Sequence, residues 1–212
     1  VPQGVEIGYG AFNSLSKLKT VIIADNCSII NDYAFAGCRN LQNVRCGTDN
    51  EFIGKNAFAN CVSLNNVHFS NKLNYIGDFA FFNCSEFTLI DEFPNTLSYV
   101  GNYAFANCES IETLNMQNTI TEKIGNYAFH NCIKITGTIR LPDTLKYLGD
   151  NAFYGCQKIS GQFIVPRDLE YIGINCFKDV GFNKIDFTRN IAIEAILDNA
   201  FMNCKKMSGG LV

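Results

Sequence analysis

Ile53-Gly54-Lys55-Asn56-Ala57-Phe58-Ala59-Asn60-Cys61 and Leu148-Gly149-Asp150-Asn151-Ala152-Phe153-Tyr154-Gly155-Cys156 are two copies of the same unit, 95 residues apart. The Ala-Phe pair at their centre also occurs at Ala11-Phe12, Ala34-Phe35, Ala80-Phe81, Ala104-Phe105, Ala128-Phe129 and Ala200-Phe201, and Cys176-Phe177 fills the one gap. The steps are 23, 23, 23 and then five of 24 residues. A single globular core does not ask for such regular spacing. A solenoid does, because each unit must set the same side chain against its counterpart in the next.

Around Ala-Phe the unit reads I-G-x-x-A-F-x-x-C-x-x-[LIF], followed by a short apolar alternation, sometimes a Pro, and a Leu or Val that leads back to I-G. Leu64-x-x-Val67-x-Phe69 and Ile111-x-x-Leu114-x-Met116 end on apolar residues two apart, the spacing of a strand with one buried face. The alternation is longer in Ile135 to Leu141, stopped by Pro142, and in Ile159 to Pro166. The Gly after Ile suggests a turn needing φ > 0. Asn31, tolerant of that region, fits as its substitute, whereas Leu197 does not and predicts a different turn there. The I-G-x-x-A-F-x-x-C stretch is too short for a long helix and predicts one helical or 3₁₀ turn. Asp91 falls where Ile139 predicts an inward side chain, a conflict that a bulge would resolve.

The pattern I-G-x-x-A-F-x-x-C-x-x-L-x-x-[IV]-x-[LF]-P-x-x-L resembles the BspA-like, or Treponema pallidum type, leucine-rich repeats over essentially the whole chain. The resemblance implies a leucine-rich-repeat solenoid of about nine repeats of 23 or 24 residues. The family's solenoid is right-handed, with a parallel β-sheet on the concave side and short helical or irregular segments on the convex side. It further implies a cell-surface or secreted protein of host-associated microbes, with repeats linked to adhesion and to binding host proteins. It brings no catalytic residues, since the signature positions are structural.

With 47% hydrophobic and 17% charged residues among 212, the chain can bury a large core and is not disordered. It reads as one repeat domain over 1–212, about 45 Å long in the stacking direction at ~4.8 Å per strand. No run approaches the ~20 apolar residues of a membrane span. A net charge of -3 offers no basic field for nucleic acid. Val1-Pro2 and Met207 to Val212 resemble interrupted strands rather than polar caps, so an excerpt of a longer protein is expected.

Seven of ten cysteines, Cys38, Cys61, Cys84, Cys108, Cys132, Cys156 and Cys204, stand three residues after the Phe and form a column. Parallel side chains one strand apart keep their Cβ atoms beyond the ~3.8 Å usual in disulfides. Buried free thiols acting as small apolar residues are therefore expected, and Leu15 and Val180 at the same position agree. No CxxC pair supports a metal site, and no cofactor is expected. Cys27, Cys46 and Cys176 lie off the column and are expected to be more exposed. The two histidines, His68 and His130, occupy different repeat positions and make no catalytic arrangement. His130, in a position that tolerates Ala, Phe and Tyr, reads as surface. The sequons at Asn26 and Asn83 would matter only in a eukaryotic secretory route, and at Asn83 the neighbouring column Cys argues for chance.

Tyr75, Tyr99, Tyr147 and Tyr171 directly precede the apolar-Gly pair, with Lys123 in the fifth unit. Packing of ring on ring is the favoured reading, a recognition stripe the other. The polar positions between buried strand residues are the candidate binding face: Asn43, Arg45, Asn66, His68, Thr113, Asn115, Thr138, Arg140, Gln162, Ile164, Lys184 and Asp186. Two functions remain in view. One is a module that binds a protein, such as a host extracellular-matrix or cell-surface protein; the other is a passive spacer carrying another domain.

Overall fold

The computed structural model describes residues 5–89, 92–204 and 206–208. In chain order its strands are β1 (Val5–Ile7), β2 (Thr20–Ile22), β3 (Cys27–Ile30), β4 (Asn43–Arg45), β5 (Phe52–Ile53), β6 (Asn66–His68) and β7 (Tyr75–Ile76). They continue as β8 (Tyr99–Val100), β9 (Lys123–Ile124), β10 (Tyr147–Leu148), β11 (Ser160–Ile164), β12 (Tyr171–Ile172), β13 (Gly181–Asp186) and β14 (Ala195–Ile196). Every pairing is parallel and joins one turn of the coil to the next, which makes the chain a parallel β-solenoid.

The continuous sheet is not built where the sequence alternation is longest. Nine strands, β1-β3-β5-β7-β8-β9-β10-β12-β14, come from the residue pair just ahead of the Gly, too short a stretch to show any periodicity. The second residue of each pair, from Ile53 to Ile172, is buried, and the first faces outward. The alternating stretches give two separate ladders, β2-β4-β6 and β11-β13. Between them, among the described residues, isolated bridges continue the pairing, Asn115 with Arg140 and Gly137 with Ile159. Asp91 and its expected bulge lie outside the described residues.

No helix forms among the described residues. The I-G-x-x-A-F-x-x-C stretch is instead a chain of tight turns alternating with bonds to the next unit. Ala57, Ala59 and Cys61 donate their N–H to carbonyls three residues back, while Asn56, Phe58 and Asn60 donate to Asp78, Ala80 and Phe82. Residues before the Ala and two after the Phe take positive φ, for example 55° at Asn56 and 60° at Asn60. That sign belongs to the third position of a type II turn, and a helix cannot contain it. The recurrent Asn is explained twice over, since it tolerates αL and its amides link units, as from Asn83 Nδ2 to Asn60 Oδ1 at 3.0 Å. A glycan on Asn83 would break that link.

The Gly of I-G does not need positive φ, contrary to the expectation from sequence. It needs the absence of a side chain: a Cβ on Gly125 would lie 2.6 Å from the backbone of Asn102 and Gly101, and one on Gly101 2.5 Å from Asp78 and Gly77. The residue after the Gly draws the units together. Asp78 Oδ1 accepts the Asn102 N–H, Asn102 Oδ1 that of Asn126, and Asn126 Oδ1 that of Asp150, at 2.7–2.9 Å. The two non-glycine residues, Asn31 and Leu197, each follow a unit with no Asp or Asn there, Tyr9 and Ile174 respectively. Gly77 also follows a unit without the drawing bond, Lys55, and its backbone neighbours stand slightly farther off at 2.8 Å, so losing the bond loosens the approach without by itself making room for a side chain. The turn at Leu197 keeps the common bonds, Leu197 N–H to Ile172 and Ala200 N–H to the Leu197 carbonyl, so the different turn expected there does not occur.

Inside the coil the Phe rings form one uninterrupted stack. From Phe12 to Phe201 successive centroids are 5.1–5.3 Å apart with planes nearly parallel. Phe58, Phe81, Phe105, Phe129 and Phe153 are all fully buried. The cysteine column lies beside this stack and does more than fill space. Each thiol donates to the Phe carbonyl of the preceding unit, Cys61 to Phe35 and Cys132 to Phe105 at 3.2 Å, Cys108 to Phe81 at 3.1 Å. A small side chain carrying a weak donor meets both needs. All ten cysteines are free and buried, so Cys27, Cys46 and Cys176 are not the exposed exceptions their positions suggested.

Burial pushes the thiols of Cys46 and Cys61 up to about 12 from an ordinary 9.0. The folded chain thus keeps these protons to higher pH than the unfolded chain. Their contribution to stability is complete below about pH 9 and is lost as pH rises toward about 12. We expect the denaturation midpoint to fall across that window. Aromatic-disulfide titration should find the column thiols unreactive in the native protein and fully reactive in denaturant without reductant. Missing thiols in the denatured sample would show cross-links and overturn the reading.

Candidate protein-binding face

The two strand ladders set the candidate residues in two columns. Asn43 pairs in register with Asn66, and Arg45 with His68, on β4 and β6. Gln162 pairs with Lys184 and Ile164 with Asp186 on β11 and β13. Between the ladders stand Thr113, Asn115, Thr138 and Arg140, with Asn115 and Arg140 joined by a bridge. The structure therefore brings the predicted residues onto one side of the coil, in neighbouring turns.

They are not equally available. Arg45, His68, Thr113, Thr138, Arg140 and Ile164 are exposed, whereas Asn43, Asn66, Asn115, Gln162, Lys184 and Asp186 are half-buried. The half-buried group holds the surface together. Asn66 Nδ2 donates to Asn43 Oδ1 at 2.9 Å, Asn115 Nδ2 to Glu92 Oε1 at 2.9 Å, and Gln162 Nε2 to Asp186 Oδ2 at 2.7 Å. Lys184 Nζ reaches the same Asp186 oxygen at 3.2 Å. Hydrogen bonds from the Thr188 hydroxyl and N–H, aided by Lys184, hold the Asp186 carboxyl down to about 2. This acid is a committed acceptor within the surface.

Where the ladder is interrupted, the face opens into a groove of about 470 Å³. Thr138, Arg140, Gln162 and Ile164 line it, as the strand register places them. Gln117, Asn118, Asp143 and Arg189 line it too, and the sequence did not reveal them. They lie beyond the alternating stretch, at positions where the residue type varies from unit to unit. The one available signal was the polar residue directly after Pro142, which is Asp143. Arg140 Nη1 donates to Gln117 Oε1 at 3.2 Å, and Arg189 pairs with Asp143 at 2.6 Å.

The aromatic columns are packing. Phe52, Tyr75 and Tyr99 stack at 4.5 and 4.7 Å, as do Tyr147 and Tyr171 at 4.7 Å. The Lys123 ammonium sits over the Tyr147 ring at 4.9 Å and bridges the two stacks. Ring faces cover one another within each stack. His130 is not a surface residue as its tolerant position suggested. It is half-buried between Tyr127 and Tyr154, each 5.4 Å away, and desolvation lowers its pKa.

Among the described residues no group of three His, Cys, Asp or Glu side chains is placed to hold a metal, and no helix is long and apolar enough to cross a membrane. Stacked parallel strands, a periodic buried Phe and one polar ladder face define a leucine-rich-repeat solenoid. The model of the BspA type leucine rich repeat region matches residues 5–136 and 91–208, and the chain belongs to that family. A T. pallidum leucine-rich-repeat protein of known structure is similar at 19% identity and a TM-score of 0.58, over 84% of this chain and 81% of that one. A leucine-rich cell surface protein from Faecalibacterium prausnitzii is similar at 18% identity and a TM-score of 0.50, over 94% of this chain and 61% of that one. No curated protein matches the sequence.

Proposed function

We propose that this chain is a non-enzymatic, adhesion-type module that binds a protein partner across its ladder face, at a cell surface or in the extracellular space. The observation that carries the reading is the exposed set Arg45, His68, Thr113, Thr138 and Arg140 on one side of a coil whose interior is rigidly stacked. A scaffold that orders its surface side chains before contact lowers the entropy cost of binding. The surface-protein name of the F. prausnitzii neighbour and the family membership support an extracellular setting. A passive spacer is the second reading, favoured by the internal pairing of Asn66 with Asn43 and of Gln162 with Asp186.

The test is binding of the purified chain to a panel of host extracellular-matrix and cell-surface proteins. Arg45→Ala/Arg140→Ala is expected to weaken binding by about tenfold or more, as loss of an Arg hot spot does. Lys178→Ala, on the turn side beside Tyr154, should leave it unchanged. Equal binding by all three proteins rejects the ladder face, and no binding across the panel favours the spacer.

A further inference from the structure

We propose that the groove between the two strand ladders receives an extended, carboxylate-bearing segment of a partner protein, with Arg140 as its principal anchor. The inference rests on the protein-binding reading above and names both the place on the face and the chemistry of what it takes.

Three observations lead there. The first is charge. The chain carries a net -3, yet among the described residues that line the groove two guanidinium groups, Arg140 and Arg189, stand against one carboxylate, Asp143. Arg189 is satisfied by Asp143, whereas among the described residues Arg140 meets no carboxylate and its hydrogen bond goes to the neutral Gln117 amide. An exposed guanidinium held by a neutral acceptor keeps its charge unneutralised, and its planar fork suits a carboxylate bidentately.

The second is shape. The lining comes from four successive turns of the coil, from Gln117 through Arg140 and Gln162 to Arg189. Three steps of ~4.8 Å give roughly 14 Å, the length of about four residues of extended chain. The third is the kind of polar group. Side-chain amides of Gln117, Asn118 and Gln162 offer both donors and acceptors, which match the alternating N–H and C=O of a peptide backbone. No aromatic ring lines the groove, so a sugar ring would find no flat apolar face on which to stack. The groove therefore favours an acidic peptide over an acidic glycan.

The probe is an array of acetylated, C-terminally amidated octapeptides in pairs that differ only by Glu or Asp against Gln or Asn. Acidic members should bind the purified chain and their amide twins should not, with contact read as shifts of the Gln117, Asn118 and Gln162 side-chain amides in NMR spectra. Arg140→Ala should lower affinity about tenfold, Arg140→Lys should restore part of it, and binding should weaken with added salt. Arg39→Ala, exposed elsewhere on the coil, serves as the control. Thermal unfolding of each variant confirms that the fold persists. Equal binding of acid and amide twins overturns the proposal, as does unchanged affinity in Arg140→Ala. Binding of an acidic oligosaccharide such as a hyaluronan fragment in place of the peptides also overturns it. A protein partner that survives Arg140→Ala but is lost on Arg45→Ala would retain the ladder face while rejecting this groove; absence of any ladder-face partner would reject the broader reading itself.

Discussion

Phe105→Ala is expected to destabilise the protein by about 3–5 kcal/mol, the range for removing a large buried ring. Phe105 is fully buried and lies 5.1 Å from Phe81 and 5.3 Å from Phe129 in the central stack. It also meets Phe87 at 5.8 Å and Phe93 edge-on at 5.5 Å. Backbone hydrogen bonds on both sides of the ring fix the spacing between turns, so the stack cannot collapse into the vacancy. Coupling between units passes through these contacts, and weakening one in the middle should also broaden or split the urea transition. Phe12 supplies the comparison: at 42% exposed in the first turn, its replacement should cost well under half as much. Equal shifts for the two variants would mean that the ring stack is not what couples the turns.

Gly125→Ala is expected to be nearly as damaging although it adds one methyl group. The new carbon would meet backbone rather than a yielding side chain, 2.6 Å from the Asn102 nitrogen. Relief requires the turns to move apart, which strains the Gly125 N–H bond to Val100 and the Asn126 N–H bond to Asn102 Oδ1. A loss of about 3 kcal/mol is expected, the upper end for overpacking. Two further variants isolate the cause. Gly8→Ala, with nothing within 4 Å, should be close to neutral. Gly77→Ala should fall between, since the unit before it has Lys55 instead of an Asp or Asn and the nearest backbone lies at 2.8 Å. Similar melting temperatures for all three would reject close approach as the reason for the glycine.

The period of the Ala-Phe pair made the solenoid and its Phe core legible, because a repeated contact leaves a repeated residue. The alternating stretches likewise disclosed β4, β6, β11 and β13 and the residues that face outward from them. Three features were hidden for physical reasons. The nine-stranded sheet uses two or three residues per turn in most strands, too few to show alternation. The Gly and the Cys each suggested their commonest role, conformational freedom and apolar filling, whereas here they allow close approach and supply a donor to a carbonyl. The groove was half legible. Thr138, Arg140, Gln162 and Ile164 follow from strand register, but Gln117, Asn118, Asp143 and Arg189 come from loops whose approach depends on where the ladder fails to close.

The direction of the bonds between turns has a mechanical consequence. Strands run across the coil, so the hydrogen bonds joining Gly101 to Ile76, Phe105 to Ala128 and their counterparts point along its length. Tension applied end to end loads those bonds rung by rung, as in a zipper, instead of sharing the force across many at once as in shear. Each turn that yields releases 23 or 24 residues, roughly 80 Å of extended chain at ~3.4 Å per residue. Under load the molecule would lengthen in a series of nearly equal steps, giving way at modest force while the remaining turns stay wound.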